Sequence, residues 1–594
     1  MADKNLKHFV EVCDGCVQTI PSPPPHPSWP ALILGADPSS YSIGNGISFD
    51  RTQLQNGLTY TTGAFVGTMQ FYHGGVTDPA QEDYAFCLKD TTGNTQTYVA
   101  AYTASTGRLK WATAVYGRNG ALLTQGYSVS QDQSGVYVTG YFTGSVEFYS
   151  ATPPTGPPAI LQHREGSGKL LTSTALSSLF LAKWDPTGRL LWATHIDNVN
   201  DILNSGALQI LQFSSNQVAS NGAMVFLCNY YQGTTTVYNA NGTMAIQMTS
   251  ISSTHQQGFL TGFNAVTGAF AWATTFNSED TTASSVAIGL ACDQNNVYVS
   301  GGFVKTMTYY NTRTTTPTLD STFVAQGTLV TQNPSALNPA PNRSAFLAAY
   351  SASLGTHLWI NQLDAFQRQA PCDAVRLSVD QSGVYLLTVF SNGVYVYPNA
   401  GSYAGAVTLT NLPLSISKNL GIVKYTHAGS VIWLNKITNF SLGSTTADYY
   451  MGASIVADHQ SLAITGTMDV SPITLYEANT NDPPVEAMTL QPLNTSHVDE
   501  GIYPLTDTFV ALFTANSGQL KWATILGHTG VPAAAYAVAT NSSKTMIAAY
   551  GVGPIDLYSA ASSLVQPTKI AKTLTASTNY YSFIATYDHN GQVI

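Results

Sequence analysis

Two cysteines near the start of the sequence have a spacing that could do chemistry. Cys13 and Cys16 form a Cys-x-x-Cys motif, which offers thiolates to zinc or a thiol pair to a disulfide. No second Cys-x-x-Cys pair completes a tetrahedral zinc site. Three interpretations stay open: ordinary thiols in an N-terminal arm, a disulfide or intermolecular tether, and metal ligands.

The remaining chemical motifs are incomplete. The 12 histidines are scattered, without a His-x-His or HExxH pattern, and no Asp-x-Asp-x-Asp-Gly calcium loop is present. The stretch REGSGKLL hints at a phosphate-binding loop, but His163 stands where that loop needs its first glycine. No Gly-x-Ser-x-Gly elbow is present, and the carboxylates are too scattered to nominate an acid–base pair. The sequence predicts no catalytic residue, no metal site, no cofactor and no enzymatic activity.

Composition restricts the partners and the compartment. Charged residues make up only 9% of the sequence and the net charge is −10. No Lys/Arg cluster could neutralise a row of phosphates, and no apolar run of about 18 residues could span a membrane. We therefore expect neither nucleic-acid binding nor membrane insertion. The charged N-terminus does not resemble a classical signal peptide, whereas the composition is typical of virion or extracellular proteins.

Four further cysteines sit singly within apolar, strand-like runs, as in MVFLCNYY. Free cysteine behaves as a small hydrophobic residue, so these residues are predicted to be buried thiols. They are Cys87, Cys228, Cys292 and Cys372.

The elements that carry these residues repeat along the sequence. Six stretches, such as LFLAKWDPTGRLLWATHI, place a glycine four residues before a tryptophan, and these tryptophans are 74 to 89 residues apart. A second, independent marker is a tyrosine that ends a short strand-like run, as in SVEFY. It occurs seven times, at Tyr72, Tyr149, Tyr238, Tyr310, Tyr397, Tyr476 and Tyr558.

The seventh repeat is split between the two ends of the sequence. Gly591 should precede a tryptophan by four residues, but the sequence ends at Ile594. Joining Ile594 to Trp29 restores the phase, because NGQVI followed by WPALILGA matches SGQLK followed by WATILGHT. Seven units of about 80 residues are therefore predicted, one of them built from both termini.

Each unit has a β pattern. Runs such as SGVYVTGYF are rich in Val, Tyr, Thr and Phe, and DQSG and DPTG stretches supply hairpin turns. Radial repetition with a shared blade removes the sheet-edge problem. The predicted fold is an all-β, seven-bladed β-propeller over 29–594, in which a C-terminal strand at about 581–594 completes the blade begun by 29–78. The alternative is an open solenoid or a set of separate β-sandwiches.

These repeats resemble the SBBP-type (seven-bladed β-propeller) family. LFLAKWDPTGRLLWATHI is similar to the first half of that repeat, and YSVSQDQSGVYVTGYFTGSVEFY is similar to the second half. The resemblance covers nearly all of 29–594, with units four and five matching less well. It implies the propeller architecture and, for a family found mostly in surface-exposed or secreted proteins, no common activity.

The repeated tryptophans are predicted to form the structural core of the repeat, packed between neighbouring blades, since a residue required in every unit is more easily explained by packing than by glycan pockets. They are Trp29, Trp111, Trp192, Trp272, Trp359, Trp433 and Trp522.

Residues 1–28 precede the ring and contain the Cys13/Cys16 motif followed by a Pro-rich spacer. The leading hypothesis is a non-enzymatic structural or interaction protein, displayed on a virion, filament or cell surface. It would bind a protein partner or self-assemble through this arm, with Cys13 and Cys16 as a possible intermolecular tether. One alternative is a lectin-like propeller that binds glycans through its face loops. Another is an enzyme, either a quinone-dependent oxidoreductase or a glycosidase.

Overall fold

The computed structural model describes most of the chain after residue 29. The described residues are 30–49, 57–79, 84–90, 92–118, 123–151, 159–162, 168–173, 175, 177–199, 218–250, 255–278, 284–311, 325–330, 343–365, 372–391, 393–397, 406–410, 418–438, 454–468, 471–478, 485–494, 506–541, 543–560, 567, 570–575 and 579–594. They form strands and turns without a helix, so the all-β prediction is confirmed.

The strands are numbered in chain order. The first half comprises β1 Ala31–Gly35, β2 Tyr41–Phe49, β3 Leu58–Val66, β4 Thr68–Phe71, β5 Phe86–Lys89, β6 Gln96–Thr103, β7 Leu109–Arg118, β8 Thr124–Asp132, β9 Gly135–Phe142, β10 Ser145–Phe148, β11 Ala159–Gln162, β12 Lys169–Thr172, β13 Ser178–Trp184, β14 Leu190–Val199, β15 Val218–Ser220, β16 Met224–Tyr238, β17 Met244–Thr249, β18 Gln257–Asn264, β19 Phe270–Asn277, β20 Ser285–Cys292 and β21 Asn296–Val304.

The second half comprises β22 Thr306–Tyr310, β23 Ala325–Val330, β24 Arg343–Ser351, β25 His357–Ala365, β26 Cys372–Asp380, β27 Gly383–Ser391, β28 Gly393–Val396, β29 Val407–Thr410, β30 Lys418–Tyr425, β31 Val431–Thr438, β32 Ser454–Asp458, β33 Ser461–Met468, β34 Ile473–Glu477, β35 Val485–Leu490, β36 Asp507–Thr514, β37 Leu520–Gly527, β38 Ala533–Thr540, β39 Lys544–Gly551, β40 Ile555–Tyr558, β41 Ile570–Leu574 and β42 Tyr581–Asp588.

The strands pair into repeated sheets of the same internal order. Four sheets have six strands each: β2-β3-β6-β7-β10-β12, β20-β21-β24-β25-β28-β29, β26-β27-β30-β31-β34-β35 and β32-β33-β36-β37-β40-β41. A seven-stranded sheet has the order β38-β39-β42-β1-β4-β5-β11, and an 11-stranded sheet runs from β8 to β23. All pairs are antiparallel except β5 with β11, which is parallel.

The 11-stranded sheet contains two of the repeated sets of strands, which are joined through one long strand, β16. The first half of β16, Met224–Tyr231, pairs with β18, whereas its second half pairs with β14 and β17. In the other sheets these two roles belong to separate strands, such as β9 and β10.

Each outer hairpin extends the sheet of the preceding unit. For example, β9 belongs to the sheet of β8, but β10 and β12, which follow it in the chain, pair onto β7. In five units a residue with positive φ stands five positions before the marker tyrosine, where the chain enters the outer hairpin. Four of these residues are glycines, at 67, 144, 233 and 553, and the fifth is Lys305. A left-handed residue favours glycine, which explains why glycine recurs there.

Each repeated set of strands begins with one strand, and the seven strands in this first position are neighbours of one another. We call them the first strands: β2, β8, β15, β20, β26, β32 and β38. Each lies against the next, and β38 lies against β2. Five of them carry a bulge, at Asn45, Tyr127, Ile288, Val375 and Tyr536, and the last four of these bulges lie five residues before the Asp or Asn of the following turn. A bulge bends its strand, so these strands share one curvature.

The hydrophobic core lies between successive sheets. One cluster joins Val99 and Trp111 of one sheet to Val138 and Phe180 of the next. Strands such as β9 are buried at every position, because they are covered on both faces. This burial explains their continuous apolar sequences, which lack the alternation of a half-exposed strand.

The two ends of the described chain meet in one sheet. Strand β42 lies between β39 and β1, with Ile584 opposite Ala31 and Ala548 opposite Ile584. Strand β1 pairs with β4 on its other side, so the C-terminal strand is what connects the N-terminal strands β1, β4 and β5 to β39 and β38.

Candidate functional site

The structure places six of the seven repeat tryptophans. They lie in β7, β14, β19, β25, β31 and β37 and are buried, apart from half-buried Trp359. Trp29, Cys13 and Cys16 lie outside the described residues, so the proposed tether has no structural description.

Each described repeat tryptophan forms the same hydrogen bond. Its indole Nε1 donates to a backbone carbonyl in the hairpin turn of the following unit, at 2.9 to 3.3 Å. The pairs are Trp111 with Pro186, Trp192 with Ala265, Trp272 with Ala352, Trp359 with His427, Trp433 with Asn516 and Trp522 with His589. The tryptophans thus join successive units and are not grouped in one pocket.

The two sequence markers are also joined directly. Thr113, two residues after Trp111, donates to the carbonyl of the marker Tyr149 at 3.0 Å. Thr194, Thr274 and Thr524 do the same to Tyr238, Tyr310 and Tyr558. Units four and five carry Asn361 and Asn435 at this position, and their amides donate instead to Gly429 and Gly518. These are the units that match the repeat less well in sequence.

Polar residues converge instead at the turns that follow the first strands. We call the cavity there the turn cup; its volume is about 800 Å³. A second cavity of about 690 Å³ shares part of its lining and is bordered by residues from all seven first strands. The turn cup is lined by Cys292, Asp293, Gln294, Asn295, Asn296, Val379, Asp380, Gln381, His427, Asp458, His459, Gln460 and Asn541.

Most acidic groups at these turns stabilise the turns themselves. The Asp132 and Asp380 carboxylates each accept the backbone N–H of a serine two residues later, at 2.7 Å. Asp293 accepts the N–H of Asn295 in the same way at 2.8 Å. These are Asx turns, in which a side chain replaces a backbone hydrogen bond. These three carboxylates therefore already accept hydrogen bonds from the backbone of their own turns.

Two of these turns contain a buried lysine–tyrosine–aspartate arrangement. Tyr137 donates to Asp132 at 2.7 Å, and the Lys183 ammonium lies 4.8 Å from the centre of the Tyr137 ring. Lys424 takes the matching position 5.1 Å from Tyr385, beside Asp380.

Burial sets the pKa values of these groups. It lowers the pKa of both lysines, an effect that the neighbouring aspartates partly offset, and it raises the pKa of Tyr137 and Tyr385. Burial alone would raise the pKa of Asp132, but hydrogen bonds from Ser134, Tyr137 and Ser220 hold it below its usual range. These lysine, tyrosine and aspartate side chains contact one another and neighbouring turns, an arrangement more typical of groups that stabilise the fold than of an acid–base pair open to a substrate.

Two residues of the turn cup are left with unused hydrogen-bonding capacity. The Asn541 side chain is 4% exposed, and its Nδ2 has no partner. No hydrogen bond within the described residues reaches the half-buried Asp458 carboxylate. In the adjoining cavity, both amide atoms of Gln131 are buried and unpartnered.

A separate carboxylate, Asp507, is fully buried at the start of β36. It accepts the backbone N–H groups of Leu493 and Asn494 at 2.6 and 3.0 Å, and the Asn494 amide at 3.0 Å. Burial outweighs these bonds and raises the pKa of Asp507 to about 6. Because it is closed to solvent, Asp507 is a structural group whose pKa lies above that of an ordinary aspartate.

The four single cysteines are free thiols. Cys87, Cys228 and Cys372 are buried as predicted, whereas Cys292 is half-buried and lines the turn cup. Within the described residues, no three His, Cys, Asp or Glu side chains converge to hold a metal ion. The same part of the chain contains no helix long and apolar enough to cross a membrane.

The turn cup was not predicted from the sequence. The DQSG stretches identify Asp132 and Asp380 as hairpin-turn residues, but spacing alone does not show that successive turns meet around one cavity. An Asp or Asn stands at the last position of each first strand or directly after it, and this recurrence is the signal that could have located the cup.

Comparisons with known proteins do not place the chain in a family. No family model matches the sequence, and no curated protein matches it either. The resemblance to SBBP-type repeats therefore rests on the repeat motifs.

Proposed function

We propose that the chain is a closed seven-bladed β-propeller of the SBBP type that serves as a non-enzymatic structural and interaction protein. The observation that carries the ring is the order of the first strands, which are neighbours in a complete cycle from β2 through β38 and back to β2. In this proposal the four six-stranded sheets and the seven-stranded sheet are one blade each, and the 11-stranded sheet is two blades joined through β16.

The contacts between blades support a role in which mechanical integrity matters. Each blade receives an outer hairpin from the next unit, and each described tryptophan bonds to the next unit's turn. A ring joined by strand pairing, hydrogen bonding and apolar packing at the boundaries that the structure describes resists local opening. Such a ring suits a particle component or a surface-displayed scaffold.

The hydrogen bonds that the turn carboxylates already accept within the fold support a non-enzymatic role. A catalytic acid or base must reach its substrate, whereas Asp132, Asp293 and Asp380 accept hydrogen bonds from their own turns. The low fraction of charged residues, 9%, fits display on a virion, filament or cell surface. Residues 1–28 are the proposed attachment arm, through a protein partner or a second copy.

The test compares residues 1–594 with residues 29–594 by light-scattering mass and negative-stain electron microscopy, with and without reductant. We expect ring-shaped particles from both, and dimers or larger assemblies only from the full-length protein. A Cys13→Ser/Cys16→Ser variant separates a thiol tether from the rest of the arm. If both proteins are monomeric with and without reductant, self-assembly through the arm is excluded. Open or elongated particles in the micrographs would exclude the closed ring.

Glycan binding is the second candidate function, and the turn cup favours it. This cavity is lined by amide and carboxylate side chains, which are the groups that recognise hydroxyls. Saturable binding of neutral glycans by the ring would support this function, and a flat response across a broad glycan array would exclude it.

A further inference from the structure

We propose that Asp458 and Asn541 form the centre of a binding subsite for a neutral saccharide in the turn cup. The inference deepens the second candidate function, glycan binding, and rests on it. It assigns complementary roles to two side chains on successive turns: Asn541 donates to a sugar oxygen, and Asp458 accepts from a sugar hydroxyl.

Asn541 supplies a hydrogen-bond donor that the fold leaves unused. Its Oδ1 accepts the backbone N–H groups of Ser543 and Lys544, at 2.9 and 2.8 Å. Its Nδ2, on the same 4% exposed side chain, has no partner. A buried polar group without a partner is costly, and a ligand acceptor within the cup would satisfy it.

A comparison with the other turns shows why this donor is free. In the turns of Asp132, Asp293 and Asp380, a tyrosine five residues later donates to the second carboxylate oxygen. Met546 takes the tyrosine's place after Asn541 and offers no hydroxyl. The Asn541 turn therefore keeps the Asx geometry, and its amide N–H is left without a partner in a residue that lines the cup.

Asp458 supplies the complementary acceptor. It is the last residue of β32, whose neighbour β38 leads into Asn541, and both residues line the turn cup. Its turn lacks the tyrosine as well, because Ala463 stands five residues later. No hydrogen bond within the described residues uses its carboxylate, which leaves both oxygens open to a ligand.

The chemistry of the lining defines the ligand class. The lining residues include three aspartates and several Asn and Gln amides, and neither Lys nor Arg. Such a surface disfavours anions. A simple cation would use the carboxylates but not the Asn541 donor, whereas a sugar hydroxyl donates and accepts at once. The cavity of about 800 Å³ is within the range of small-molecule sites.

The test uses isothermal titration calorimetry and saturation-transfer NMR on the full-length protein. The probes are methyl α-mannopyranoside and methyl β-galactopyranoside at up to about 20 mM, since single sugars bind such sites in the millimolar range. N-acetylneuraminic acid serves as the anionic probe and spermidine as the cationic one. We expect one or both neutral glycosides to bind, and sialic acid not to bind.

Two variants test the assignment. Asn541→Asp keeps the turn acceptor and replaces only the donor, and Asp458→Asn removes only the free carboxylate. Each should weaken glycoside binding at least about tenfold. Asn264→Asp is the matched control, because the Asn264 Oδ1 accepts the N–H groups of Val266 and Thr267 in an Asx turn outside the cup; it should leave binding unchanged.

Three results would overturn the proposal. Glycoside binding that neither cup variant alters would place the sugar elsewhere and leave glycan binding intact as a function. No binding of either neutral glycoside at the highest concentration would exclude the subsite, while the structural role of the ring would still be decided by microscopy. Salt-sensitive binding of spermidine alone would identify the cup as a cation site.

Discussion

The Trp522 indole Nε1 donates a hydrogen bond to the carbonyl oxygen of His589, 3.1 Å away. This bond joins β37 to the turn that follows β42, close to the end of the sequence. Gly591 in the same turn has a φ of +77° and lies against the Trp522 ring. The contact that links every other described pair of units is therefore also made by the last turn.

Replacement of Gly591 should show how much this contact stabilises the protein. A methyl group in Gly591→Ala would overlap the Ala560 Cβ and lie within 3 Å of the Trp522 ring. Backbone strain at positive φ and overpacking both destabilise the folded state, and we expect a loss of about 2–4 kcal/mol. Gly242→Ala has a similar φ of +86° with open space around it and should lose only about 1 kcal/mol. Urea unfolding measures both, and equal losses would show that the close packing of Gly591 against Ala560 and Trp522 does not limit the side chain at this position.

Removal of the C-terminal strand should prevent folding. Deletion of residues 581–594 removes β42 from between β39 and β1, which exposes two strand edges and the apolar cluster around Phe583. We expect insoluble or unfolded protein by circular dichroism and size-exclusion chromatography. Deletion of residues 1–28 is the control and should leave the thermal midpoint unchanged. A soluble, cooperatively folded product without β42 would contradict the shared-sheet architecture.

Asp507 should make stability depend on pH between about 4 and 6. Its folded-state pKa of about 6 lies above the ordinary value of 3.8, so the folded protein binds more protons than the unfolded chain in this window. Its contribution to stability is therefore greatest below pH 4 and falls as the pH rises through 6. The change is up to about 3 kcal/mol, since one unit of pKa difference corresponds to about 1.4 kcal/mol.

Urea unfolding of the wild type and of Asp507→Asn at several pH values measures this effect as the difference between the two curves. Asp132→Asn is the control of opposite sign. The lowered pKa of Asp132 makes its contribution full above about pH 4, and this contribution is lost only as the pH falls below that value. Parallel wild-type and Asp507→Asn curves from pH 4 to 7 would rule out titration of Asp507.

Lys424 should be needed for stability despite being a single charged side chain. Its ammonium donates to the Ser382 hydroxyl and the Ala515 carbonyl, each at 3.0 Å. Lys424→Met removes this donor from the half-buried Ser382 hydroxyl and the buried Ala515 carbonyl, and we expect a loss of about 1–3 kcal/mol in urea unfolding. Exposed Lys110 is the control, and Lys110→Met should change stability by less than about 0.5 kcal/mol. Equal, small effects would show that the buried network is dispensable.

The single cysteines should differ in reactivity. Burial raises the pKa of the Cys228 and Cys372 thiols, and Cys87 is also buried, so a small maleimide should modify none of the three in the native state. Cys292 at the turn cup should react, as peptide mass mapping would show. Denatured protein is the control, in which all of them should be labelled. Native labelling of Cys228 or Cys372 at the rate of Cys292 would contradict their burial.

Much of the fold followed from repeated residues. Valine- and tyrosine-rich runs predicted strands, and the all-β architecture with repeated sheets is confirmed. The closed seven-bladed ring remains a prediction, supported by the cycle of first strands. The expectation that all four single cysteines are buried was wrong for Cys292, because its strand ends at the edge of a cavity.

The sequence by itself determined the strand content, the repeat length and the recurrence of tryptophan, glycine and tyrosine, because these depend on local turn chemistry and on a core rebuilt in each unit. Only the tertiary structure decided which strands share a sheet, that outer hairpins extend the preceding unit, and that turns far apart in sequence meet at one cup. Strand pairing and cavity lining depend on contacts between residues tens to hundreds of positions apart, and local sequence patterns do not specify such contacts. Asp458 and Asn541 illustrate this limit: each resembles an ordinary turn residue until the two turns are placed side by side.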